Sequence, residues 1–129
     1  MAHVFPIRVY YEDTDMAGLV YYANYLKYIE RARSDWVREQ GIDQNTMREK
    51  EGVIFAVRRL EAEYLAPAKF DDELEVRTET RSISGARLEL DQRVMRGRSA
   101  VFTASVTIVC VTDAGQPARL PANIRLMLH

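Results

Sequence analysis

Tyr22-Ala23-Asn24-Tyr25-Leu26-Lys27-Tyr28-Ile29-Glu30-Arg31-Ala32-Arg33-Ser34-Asp35-Trp36-Val37-Arg38-Glu39-Gln40-Gly41 is the stretch that organises this chain. Tyr25, Leu26, Ile29, Ala32, Trp36 and Val37 recur at spacings of three and four, which predicts a helix from about Tyr22 to Gln40 with one buried stripe. Lys27, Glu30, Arg31, Ser34, Asp35 and Arg38 take the opposite face, with Arg31 and Asp35 four apart as a surface pair. Gly41 is placed to end the helix, because glycine enters the left-handed cap conformation without penalty.

Before the helix, a turn runs from Glu12 to Gly18. Phe5, Ile7, Val9 and Tyr11 alternate against Arg8 and Tyr10 ahead of it, predicting a strand from Phe5 to Tyr11. After the helix comes a loop holding a short helix, Gln44 to Lys50, and from there the period is two. Ile54 to Leu65 is a strand closed by Ala66-Pro67. Leu74, Val76, Thr78 and Thr80 alternate with Glu75, Arg77, Glu79 and Arg81, a strand with one wet face. Ser84-Gly85 turns into Arg87 to Met95, where Leu88, Leu90 and Val94 share a face. Arg96-Gly97-Arg98 turns into Ala100 to Thr112, which is apolar on both sides and therefore central in a sheet or covered by another subunit. Strand, long helix and four strands joined mostly by tight turns make an α+β protein, an antiparallel five-stranded sheet around one helix.

The 129 residues suit a single domain, 1–129, with a core large enough to need no disulfide or metal staple. Eighteen basic and 19 acidic residues leave a formal net charge of -1, without the basic excess of a nucleic-acid binder. No apolar run approaches the ~18 residues of a membrane span and no signal-peptide pattern opens the chain. The one cysteine, Cys110, lies in an apolar strand, where it reads as a small hydrophobe, and a reduced, cytoplasmic setting follows.

The two histidines, His3 and His129, stand at the chain ends, so an interior Ser-His-Asp or Cys-His arrangement has no histidine and a Cys/His zinc site no ligand set. Glycines are scattered, with no phosphate-cradling cluster. If the chain is an enzyme, its acid, base or nucleophile is a carboxylate. The turn places two of them, Asp13 and Asp15, just before the helix, where free amides form an electropositive spot suited to an oxyanion. Gly18 lets a backbone or ligand come close, and Tyr21, Tyr22 and Tyr25 stand beside it. Aspartates also cap turns and helix starts without any chemistry, and spacing alone leaves both readings open.

The run Tyr11-x-Asp13-Thr14-Asp15-x-x-Gly18-x-Val20-Tyr21-x-x-x-Tyr25, followed by Glu30-Arg31-Ala32-Arg33, resembles the signature of the hotdog-fold acyl-CoA thioesterases. It is most similar to the 4-hydroxybenzoyl-CoA thioesterase family and its branch associated with the bacterial Tol-Pal system. Glu63-Tyr64-Leu65-Ala66-Pro67-Ala68 with Asp71-Asp72-Glu73-Leu74 extends the likeness over nearly the whole chain. The resemblance implies a hotdog fold, hydrolysis of an acyl-CoA to free acid and coenzyme A, no cofactor or metal, and a homodimer or homotetramer with sites between subunits. It implies that Asp15 is the catalytic carboxylate, as nucleophile or general base. By the same resemblance Tyr22 is expected to hold the thioester carbonyl through its backbone amide, at a position that is often histidine in the Tol-Pal branch. Gly18, Val20, Tyr21 and Tyr25 are expected around the substrate. Arg59 is expected at coenzyme A, within a wider set of Arg58, Lys69, Arg96 and Arg98 that could meet its phosphates. Asp13 is read as the shaper of the turn and Glu30 as a surface residue. Two other readings stand beside this one: a non-catalytic acyl-CoA binding or sensing module, and an enoyl-thioester hydratase, which would use a histidine with its carboxylate.

Overall fold

The computed structural model of the protein describes residues 2–128; His129 lies outside them. Strand β1 (His3–Arg8) is followed by a 3-10 turn at Tyr11–Asp13, helix α1 (Asn24–Glu39) and helix α2 (Gln44–Glu51). Strands β2 (Val53–Tyr64), β3 (Glu73–Ile83), β4 (Arg87–Arg96) and β5 (Ser99–Thr112) come next, then a two-residue strand β6 (Pro117–Ala118) and helix α3 (Ala122–Leu128). The sheet runs β1-β3-β4-β5-β2, with every neighbouring pair antiparallel.

This is the hotdog arrangement, a sheet wrapped around α1. It has six strands rather than five, because β6 pairs with β5. Cys110 opposes Ala118 and Val111 opposes Pro117, beyond the point where β4 begins with Arg87 opposite Val109. Strand β5 thus has hydrogen-bonded neighbours along both edges, β2 on one and β4 and β6 on the other, as a central strand does. The first strand is shorter than its alternation suggested. It ends at Arg8, and Val9 and Tyr10 lead into the 3-10 turn instead of continuing the ladder.

Helix α1 buries its stripe onto the sheet, with two exchanges relative to the periodic reading. Tyr28, Ile29 and Ala32 are fully buried against Val76, Leu90, Val94, Phe102 and Val106, whereas Leu26 is 40% exposed. Tyr28 falls on the core side because a 3.6-residue turn puts it directly over Ala32 and Asn24. Arg31 makes no ion pair with Asp35. Asp35 instead accepts from His3 Nε2 at 2.9 Å, and Glu39 stands 3.4 Å from the same nitrogen. Helix α1 ends at Glu39 with Gln40 as its C-cap, and Gly41 lies beyond at φ +86°. Helix α2 is capped by Asp43, whose carboxylate accepts from the Asn45 and Thr46 amides.

One polar residue sits on the core face of β4 between Leu90 and Val94. Gln92 is fully buried and donates through Nε2 to Ile29 O (2.9 Å) and Thr78 Oγ1 (3.0 Å). Its Oε1 accepts from Arg33 Nη1 at 3.0 Å, and burial holds that guanidinium below its ordinary pKa. Every polar atom of the amide is engaged, which is what lets glutamine occupy an apolar layer.

Candidate active site

The loop from Asp13 to Tyr22 is a compact hairpin. Asp15 N–H donates to Leu19 O (2.8 Å), Gly18 N–H to Asp15 O (3.0 Å), and Thr14 bridges Val20. Gly18 takes φ +77°, a left-handed value that a side chain would resist. The two aspartates do different things. Asp13 is buried, its Oδ1 accepting from Asn24 Nδ2 and its Oδ2 from the Tyr10 amide, both at 2.9 Å. Its carbonyl accepts from the Tyr21 amide, also at 2.9 Å. Asp13 therefore locks the loop onto the start of α1. Asp15 is exposed, and its Oδ1 accepts from the Ala17 (2.9 Å) and Leu19 (3.2 Å) amides. Its Oδ2 accepts from no donor among the described residues, so one carboxylate oxygen is held while the other is unbonded.

The loop is also fastened to the segment between β2 and β3. Val20 N–H donates to Ala68 O (2.8 Å), Phe70 N–H donates to Gly18 O (3.1 Å), and Leu19 bridges Lys69. That segment is shaped by Arg96, whose Nη1 donates to Pro67 O (2.8 Å) and Asp72 Oδ2 (3.2 Å). Each of these bonds spans a large sequence gap, so the loop is rigid because the sheet is.

At Tyr22 the chain enters the helix. Asn24 N–H donates to Tyr21 O (2.8 Å) and Leu26 N–H to Ala23 O (3.1 Å). Neither the Tyr22 nor the Ala23 N–H has an acceptor among the described residues. Two successive free donors therefore stand at the positive end of α1, where a developing negative charge is stabilised. The rings of Tyr21 and Tyr22 lie 5.0 Å apart and are both exposed, and Tyr22 packs edge-on to Tyr64 at 6.3 Å.

The structure gathers some of the expected residues and disperses others. Asp15, Gly18, Tyr21 and Tyr22 share the loop and its exit. Val20 and Tyr25 are buried behind it, Tyr25 stacked on Phe102 at 4.9 Å. Arg59 lies elsewhere, on β2, paired with Glu61 on its own strand and five residues, about 16 Å, from the Tyr64 end. Arg96 is committed to the structural bonds above. Lys69 adjoins the loop. Cys110 is buried, and burial alone pushes its thiol up to about 11, as befits an inert strand cysteine. His3 is held firmly despite its place near the chain end. It contacts the far end of α1, and thirteen residues of helix, about 20 Å, separate Asp35 from Tyr22. Two residues with no expected role belong to the site, Asn24 and Tyr64. The Tyr64 hydroxyl donates to Tyr22 O at 2.9 Å.

A held carboxylate a few residues from paired, unbonded helix amides is equipment for hydrolysing a polarised carbonyl without a histidine, and the hotdog sheet is a scaffold on which thioesters are cleaved. The comparisons agree. The family model described as the Thioesterase-like superfamily matches residues 9–128, and the chain belongs to that family. An acyl-CoA thioesterase, YbgC, of Haemophilus influenzae is 40% identical over 127 residues, covering 97% of this chain and 93% of the relative. The acyl-CoA thioester hydrolase YbgC of Escherichia coli O6:H1 is 41% identical over 121 residues, 92% of this chain and 90% of that one. Among solved structures, a probable thioesterase from Bartonella henselae superposes with a TM-score of 0.89 at 37% identity, covering 94% of this chain and all of the other. The protein is a thioester hydrolase.

Proposed function

We propose that the chain hydrolyses an acyl-CoA to the free acid and coenzyme A with Asp15 as the catalytic carboxylate and the Tyr22 and Ala23 amides as the oxyanion site. The observation that supports this most directly is the free Oδ2 of Asp15 on a loop that leads straight into two unbonded N–H groups. Acting as general base, Oδ2 takes a proton from water, and the hydroxyl oxygen bonds to the thioester carbon. The carbonyl oxygen gains the negative charge and is held by the amides. Collapse breaks the carbon–sulfur bond, and the departing thiolate recovers the proton from Asp15. Acting as nucleophile, Oδ2 bonds to the carbon itself, the adduct collapses by breaking the carbon–sulfur bond and releasing the thiolate, and water then opens the mixed anhydride and supplies the thiolate's proton. Single turnover in ¹⁸O water separates the routes, because only the anhydride route can leave label in Asp15.

Release of free thiol from acetyl-, butyryl-, palmitoyl- and benzoyl-CoA tests the activity and ranks the acyl groups. Asp15→Asn keeps the size and the Oδ1 contacts and is expected to fold normally while losing at least ~10²-fold in kcat. Near-wild-type turnover by this variant would remove Asp15 from the mechanism. A hydratase or a sensing module would release no thiol, and the distance of His3 from the loop disfavours the former. The enzyme acts as a homodimer or homotetramer in the cytoplasm. Strand β2 supports the assembly, since it is twelve residues long and paired on one side only. A light-scattering mass of twice or four times 14.9 kDa is expected, and a monomer mass would refute the assembly.

A further inference from the structure

We infer that Tyr64 is a positioning residue for the reaction, holding the Tyr22–Ala23 peptide plane so that its N–H stays available to the thioester oxygen. The inference rests on the oxyanion reading above and names what maintains it.

The two free amides belong to two consecutive peptide planes, and each plane is pinned by its oxygen. The Tyr21–Tyr22 plane is pinned locally, its carbonyl accepting from Asn24 N–H at 2.8 Å. The Tyr22–Ala23 plane is pinned from a distance of 42 residues, its carbonyl accepting from the Tyr64 hydroxyl at 2.9 Å. Within one trans peptide the C=O and N–H point in opposite directions, so fixing the oxygen of Tyr22 fixes the direction of the Ala23 N–H.

Without Tyr64 this plane has an alternative. Tyr22 lies two residues before the first residue of the helix, and the backbone donor its oxygen would meet in α-helical geometry is Leu26 N–H, four residues on. Leu26 N–H is given to Ala23 O instead, at 3.1 Å, which leaves Tyr22 O outside the helical ladder. Removing the phenol lets the plane rotate to reclaim that donor, and the Ala23 N–H turns with it.

Tyr64 is built to hold its hydroxyl still. Its ring lies at the end of β2 with centroids 5.6 Å from Tyr25 and 5.0 Å from Phe102, in edge-on contact with both. Phe102 and Tyr25 are core residues, so the phenol is aimed by the core while half its surface remains exposed. The ring would pack equally well as phenylalanine. The hydroxyl is the one part of the side chain that packing does not explain.

The test is Tyr64→Phe, assayed on whichever acyl-CoA of the panel the wild type hydrolyses fastest. The expected result is a fall in kcat of about 10- to 100-fold, less than the ~10²–10³ for deleting an oxyanion donor outright because the donor is displaced rather than lost. KM should stay within about twofold and the melting temperature should not move, since the ring contacts persist. A spectroscopic arm separates positioning from packing. The ¹³C-labelled carbonyl of the same substrate, bound to Asp15→Asn, should absorb at lower frequency than in water, and part of that shift should vanish in Asp15→Asn/Tyr64→Phe. Wild-type kcat in Tyr64→Phe, or an undiminished shift in the double variant, overturns the role of Tyr64 while leaving the oxyanion site intact. No carbonyl shift in Asp15→Asn alone would overturn the oxyanion site itself.

Discussion

Asp13 and Asp15 are the same side chain two residues apart, and what separates them is the number of acceptor sites each has left. Asp13 spends both oxygens on the Tyr10 amide and Asn24, in a buried position. Hydrogen bonds to a charged group contribute more than neutral ones, and a buried donor left alone costs further. Asp13→Ala is therefore expected to lower stability by about 2–4 kcal/mol and to show as a reduced midpoint in urea unfolding; an unchanged midpoint would contradict the buried network. Spacing showed both aspartates and their turn, and the family resemblance gave Asp13 the shaping of the turn, but the bonds by which it does so were not visible in the sequence. Tyr64 was within view as a letter of a motif and Asn24 only as an unspecified position in one, yet their roles come from partners 42 and 11 residues away. No periodicity encodes such a meeting.

Elements were legible where a pattern repeats. Helix α1, the four long strands and the short helix at Gln44–Glu51 all stand close to where spacing placed them. The misses have physical reasons. Tyr22 and Ala23 fell inside the helix that spacing predicted but lie before it, the Tyr22 carbonyl accepting from the Tyr64 hydroxyl and neither amide having an acceptor among the described residues. Strand β1 stops early because Val9 gives up its ladder partner to bond the Asp71–Asp72 corner, its amide donating to Asp72 O and its carbonyl accepting from Asp71 N–H. The sixth strand is two residues long and contains Pro117, too short for alternation to reveal. Helix α3 carries only two buried residues, Ile124 and Leu128, four apart. Gln92 interrupts an otherwise apolar face, and a polar residue there reads as a break in the pattern until its three bonds are seen.

At the level of the whole molecule, one connected apolar cluster includes residues of α1, of the four long strands, and Leu120, Ile124 and Leu128 near the C-terminus, with Phe5 and Ile7 of β1 packed against it. Cys110 lies in that cluster and reports on it. Its thiol is raised from 9.0 to about 11 by burial. In the folded protein it keeps its proton at pH 9–10, where an unfolded cysteine ionises. The associated stability is complete below about pH 9 and is lost as pH rises toward 11. At pH 8 a thiol reagent such as DTNB should therefore label Cys110 only as fast as the core opens, with rapid labelling in denaturant; rapid labelling of the native protein would contradict a sealed core. The fold class was readable because it follows from the order of elements. Of the candidate site, the turn carrying Asp15 and the helix start that follows it were readable from the sequence. The fastening of the loop to the sheet through Ala68, Phe70 and Arg96 was not, because each bond joins distant segments.

The two peptide planes at the mouth of α1 are clamped by their oxygens before any substrate arrives. In the mechanism proposed above, their nitrogens would need no reorganisation when charge develops on the thioester oxygen, and water there would be replaced by dipoles already aligned. On that reading the carbonyl-activating half of the reaction is assembled independently of the acyl group. Discrimination among acyl chains then falls to whatever surrounds the chain itself, and that surface can be altered while the electrophile is still received by the same pair of amides.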